Sequence, residues 1–154
     1  MIPEPGAILL TKLRYVGDVL LTTPALRLLR SAYPRAHITM VVNRGTEDVL
    51  RHNPHVDRVL TVERDGSLAG RLRREWALLR GLRQVRYKLS VDFFSGDRAA
   101  YLALLSGVPC RIGFAGREGM RRWIFTRAVE VNGPIHTLER NLLLLEGALG
   151  LRAA

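Results

Sequence analysis

Short apolar runs and stretches of helical spacing alternate along nearly the whole chain, and this alternation restricts the fold more than any other feature. Residues 7 to 13, "AILLTKL", form a run apolar enough for a strand buried on both faces. Comparable runs follow at 37–42, 56–62, 88–94, 109–114 and 127–131. Helical spacing occupies 18–33, 47–52, 68–85, 97–106 and 136–151. Parallel strands need such crossovers, so the pattern predicts an α/β fold with a doubly wound parallel sheet. Pro24 lies inside the first helical stretch, which therefore kinks there or restarts with Pro24 in its first turn. In 68–85, Leu68, Leu72, Trp76, Leu79 and Leu82 trace one apolar stripe and arginines crowd the remaining surface, as in an amphipathic helix.

The 154 residues suffice for one domain with a real core, and a balance of 47% hydrophobic to 25% charged residues is that of a soluble globular chain. No apolar run reaches the roughly 18 residues of a membrane-spanning helix, and the start "MIPEPGAILLTKL" lacks the basic region and cleavage site of a signal peptide. The expectation is a cytoplasmic protein. Cys110 is the only cysteine, which excludes an intrachain disulfide or a cysteine-based zinc site and reads as a small core thiol. The formal charge of +10 favours anionic partners, although the excess of arginine over Lys12 and Lys88 is also what a GC-rich coding genome produces.

In open α/β sheets ligands sit at the carboxyl ends of the strands, which points to the turn at 14–18. Gly17 lets backbone approach a ligand, and Asp18 stands at a helix start. Asp18 either caps that helix or acts as a general base toward an acceptor hydroxyl. Arg14 and Lys12 are candidates to hold anionic groups; alternation along the strand also allows Lys12 to face away. A second loop on the same edge holds Ser95, Gly96, Asp97 and Arg98, where Arg98 opposes the helix dipole and calls for a ligand or an ion pair. "GFAGREGMRRW", 113–123, adds Arg117, Arg121 and Arg122 as candidate phosphate or carboxylate contacts, or as a solvated connection. His136 and Arg140, one turn apart, read as packing or interdomain residues. No metal-ligand set is read, and the phosphate loop, GxGxxG, HExxH and GxSxG signatures are absent.

Three segments, "AILLTKLRYVGDVLLTTPALRLLRSAYPRAHITMVV", "VDFFSGDRAAYLALLSGVPCRIGF" and "HTLERNLLLLEGALGL", together resemble the N-terminal half of glycosyltransferase family 9, the lipopolysaccharide heptosyltransferases, with "KLRYVGDVLLTTP" nearest the heptosyltransferase III type. The resemblance implies a GT-B architecture of two Rossmann-like domains, with acceptor on the first and ADP-heptose mainly on the second. It implies an inverting, metal-independent transfer with Asp18 as base and no cofactor. The acceptor implied is the lipid A-core on the inner face of the inner membrane, whose anions Arg14, Arg98, Arg117, Arg121 and Arg122 would meet, while the helix of Arg71 to Arg86 rests on anionic lipid. On this reading 1–135 is an acceptor-binding domain, and 136–154 is a helix leading to a C-terminal donor-binding domain that is absent and supplied in cis or in trans. Alone the chain would be inactive. The competing expectations are a basic non-catalytic binding module and a degenerate scaffold partner. Nucleic acid is disfavoured as a ligand because Trp76 falls on the apolar stripe and not among exposed basic residues.

Overall fold

Each apolar run pairs with its neighbours in one direction. The computed structural model describes residues 4–63, 65–116 and 121–152, without the side chains of 121 and 122. Its strands are β1 (Ala7–Lys12), β2 (His37–Asn43), β3 (Arg58–Val62), β4 (Leu89–Asp92), β5 (Cys110–Phe114) and β6 (Arg127–Val129). They form one sheet in the order β3-β2-β1-β4-β5-β6, with every pairing parallel. The order reverses at β1, which pairs β2 on one side and β4 on the other. A ligand crevice is expected at the carboxyl end of such a switch point.

The helices are α1 (Val16–Leu20), α2 (Thr23–Ala32), α3 (Leu68–Val85), α4 (Asp97–Leu105), α5 (Arg121–Ile124) and α6 (Thr137–Leu149), with one 3-10 turn at Glu47–Leu50. Pro24 restarts the helix instead of kinking it: it stands in the first turn of α2, where its missing N–H is not needed. Cys110 is half-buried at the margin of the core, not fully interior as expected.

Two apolar layers sandwich the sheet. On one face Ile8, Leu10, Ile38 and Met40 meet Leu26 and Leu29 of α2 and Leu144 and Leu145 of α6. On the other, Leu9 and Val41 meet Leu82 of α3 and Ala99 of α4. Asn141 of α6 donates from Nδ2 to Leu21 O at 3.1 Å, tying the last helix to the turn between α1 and α2. The apolar stripe of α3 departs from expectation. Leu79 and Leu82 are buried, but Leu68, Leu72 and Trp76 are 70%, 62% and 67% exposed. Trp76 therefore does stand among basic residues, beside Arg80 and Arg83, and its place on the stripe no longer argues against nucleic acid. No helix among the described residues is long and apolar enough to cross a membrane.

Candidate active site

β1 delivers its last residues to the crevice in alternation, Thr11 toward β4 and Lys12 beyond it. Thr11 Oγ1 donates to Asp92 Oδ1 at 3.0 Å, and the same oxygen accepts from Phe94 N at 2.9 Å, which shapes the turn after β4. Lys12 is almost wholly buried and donates from Nζ to Phe93 O at 2.7 Å. Burial drives the Lys12 ammonium down to about 8; the carboxylates of Asp18 and Asp92 oppose that shift, and Arg14 and Arg140 reinforce it.

The chain then surfaces through Arg14 and Tyr15, and α1 begins at Val16. Asp18 is the third residue of α1 and not its cap: the capping position is Tyr15, which has no side-chain cap bond. Capping, one of the two expected roles, is therefore not what Asp18 does. Its carboxylate lies 3.6 Å from Arg14 Nε, with the two side chains 22% and 49% exposed. A Cβ placed on Gly17 would meet no atom within 4 Å.

The loop after β4 lies on the same edge. Ser95 adopts φ 58°, an uncommon conformation for a residue with a side chain. Gly96 precedes α4, and a Cβ there would strike the Phe94 ring. Arg14 stands 5.4 Å from the centroid of that same ring. Arg140 reaches in from α6, donating from Nη2 to Ser95 Oγ at 3.3 Å and lying 4.4 Å above the Phe114 ring at the end of β5.

The structure thus gathers Lys12, Arg14, Gly17, Asp18, Ser95 and Gly96 on one edge. Arg98 is met by Glu75 of α3, Nη2 to Oε2 at 2.6 Å, so the ion-pair alternative holds for it. Arg117 lies outside the described residues, as do the side chains of Arg121 and Arg122. Two residues of the cluster were missed in sequence. Asp92 could have been found as an acid closing an apolar strand, the counterpart of Asp18 one strand over. Arg140 reads in sequence as a packing or interdomain residue, and only its place in the third matched segment points to the site.

A carboxylate beside an arginine, on the carboxyl edge of a doubly wound sheet, can accept a proton from a hydroxyl while neighbouring cations hold an anionic substrate. The fold is Rossmann-like, the kind of unit from which GT-B glycosyltransferases are built. No family model matches the chain. It is 30% identical over 140 residues to lipopolysaccharide heptosyltransferase 3 of Escherichia coli K12, a match covering 87% of this chain and 40% of that protein. The crystal structure of a family 9 glycosyl transferase from Veillonella parvula superposes with a TM-score of 0.77 at 25% identity, over 94% of this chain and 41% of that one. The E. coli heptosyltransferase WaaC with ADP does so with a TM-score of 0.77 at 26% identity, over 94% and 47%. The chain therefore resembles the family 9 heptosyltransferases over a stretch consistent with their N-terminal domain. It spans about 40% of the length of the curated relatives it matches.

Proposed function

We propose that this chain is the acceptor-side half of a heptosyltransferase that moves a heptose from ADP-heptose to the lipopolysaccharide inner core, with inversion and without a metal ion. The observation that carries the reading is the Asp18 carboxylate, half-shielded beside Arg14 at the switch-point edge. The similarity to lipopolysaccharide heptosyltransferase 3 supports the reading. Asp18 takes the proton of the acceptor hydroxyl. The freed oxygen bonds to the anomeric carbon as the carbon–oxygen bond to ADP breaks, and ADP leaves with the electron pair. Arg14 and Arg140 hold phosphate or carboxylate groups of the core, and the loop of Ser95 and Gly96 leaves room for its sugars. Arg117, Arg121 and Arg122 are further candidates for core anions on the sequence alone, whereas Arg98 is held by Glu75.

Residues 1–135 form the acceptor-binding domain together with α6, which packs on its sheet through Leu144 and Leu145, and the chain within 136–154 leads toward a donor-binding domain supplied in cis or in trans. The enzyme works as a peripheral protein on the inner face of the inner membrane. Without the donor half, the chain binds acceptor and transfers nothing. The test is heptose transfer from ADP-heptose to lipid A-core by the native product, whose intact mass is measured alongside. Asp18→Asn is expected to lower turnover by about 10²- to 10⁴-fold, the usual contribution of a general base. Undiminished turnover in that variant would remove Asp18 from the chemistry.

A further inference from the structure

The N-terminal half of α3 stands away from the sheet. With α4 and the end of β3 it borders a groove of about 880 Å³, lined by Leu68, Leu72, Leu79, Tyr101 and Leu105. Leu79 also lines an adjoining hollow together with Trp76, Arg80 and Arg83. Large apolar side chains exposed together mark an interaction surface. Arginines outnumber acids around them. Arg71, Arg73 and Arg80 are exposed and make no ion pair with a described residue. Of the nearby acids, Glu75 is engaged by Arg98 and Glu63 by Arg44 and Arg74, which leaves Asp65, just ahead of α3, against the surplus of arginines.

We propose that this α3–α4 face docks on an anionic lipid bilayer. Leucines and a tryptophan enter the interfacial region, and arginines lie along phosphate headgroups with their stems in the boundary. Tryptophan is the side chain most suited to that boundary, and the unpaired arginines select anionic over zwitterionic lipid. A nucleic acid would use the arginines but leave Leu68 and Leu72 exposed. The surface gives the peripheral localisation proposed above its location on the molecule and rests on that reading for which membrane is met. Vesicle binding needs neither ADP-heptose nor acceptor, so failure here and failure of the transferase reading are separate results.

The experiment is co-sedimentation of the 154-residue chain with vesicles of phosphatidylcholine alone and of phosphatidylcholine mixed with phosphatidylglycerol, at physiological ionic strength. Binding is expected to the mixed vesicles only. The double variant Arg73→Gln/Arg80→Gln should weaken it by about thirtyfold, at the usual contribution per arginine near a charged surface. Leu72→Ser should weaken it as well, with far-UV circular dichroism unchanged because the position is exposed. A Trp123→Phe background leaves Trp76 as sole reporter, whose emission should shift to the blue on binding. Equal binding to both vesicle types would overturn the proposal. So would indifference to Leu72→Ser, or displacement of the chain from vesicles by random duplex DNA.

Discussion

Gly17 is the second residue of α1, its φ lies outside the left-handed region, and a Cβ there meets nothing within 4 Å. Neither conformation nor packing within the described residues calls for glycine. Gly17→Ala is thus expected to stabilise the fold by about 0.5–1 kcal/mol, the gain for alanine inside a helix, while lowering acceptor affinity in the native product. Urea unfolding and acceptor titration check the two halves separately; a destabilised variant would mean that the fold itself needs this glycine. Lys12 carries a different signature. Its folded value of about 8 lies below the ordinary 10.5, so between these limits the unfolded chain holds a proton that the folded one has released. Stability contributed by this group therefore rises as pH climbs from 8 to 10.5 and is lost as pH falls through 8. Urea midpoints measured across that window should rise for the wild type relative to Lys12→Met; parallel profiles would show that Lys12 does not titrate there.

Among the elements, α3 shows how far periodicity reaches. The spacing of Leu68, Leu72, Trp76, Leu79 and Leu82 places them near one side of the helix, but it does not say how far the surface beneath extends. An 18-residue helix is about 27 Å long, whereas a five-residue strand such as β3 is about 17 Å, so one end of α3 overhangs. Leu72→Ala is accordingly expected to change stability by no more than about 0.5 kcal/mol. Leu144→Ala, fully buried on α6, should cost about 2–5 kcal/mol, and thermal or urea unfolding of the pair distinguishes a docked stripe from an overhanging one. The order and type of the main elements were legible because apolar runs and helical spacing are local signals. Lys12, Arg14 and Asp18 were legible for the same reason, since one strand-turn-helix segment carries them all. Asp92 and Arg140 were not, because register brings Thr11 to Asp92 across 81 positions and helix docking brings Arg140 to Ser95 across 45.

At the scale of the whole molecule the question is whether the charge of +10 acts as a diffuse field or through the edge where Arg14 and Arg140 stand. Either would make capture of an anionic acceptor faster at low salt. The two differ in what one neutral substitution does. A diffuse field barely changes when one of many arginines is removed, and the slope of kcat/KM against ionic strength stays as it was. A contact at the edge is itself one of the ion pairs made on capture, so its loss raises KM and flattens that slope by the share of that pair, with the Asp18 carboxylate still in place. The arrangement of Arg14 beside Asp18 and of Arg140 over Phe114 favours the second. In the native product, Arg14→Gln and Arg140→Gln are each expected to raise the acceptor KM by about tenfold, the usual value of a charge-assisted hydrogen bond, with kcat within a few-fold of wild type. Steady-state assays at several salt concentrations read both quantities. A slope unchanged in both variants would assign the capture to the molecule's overall charge and leave the edge arginines a structural role.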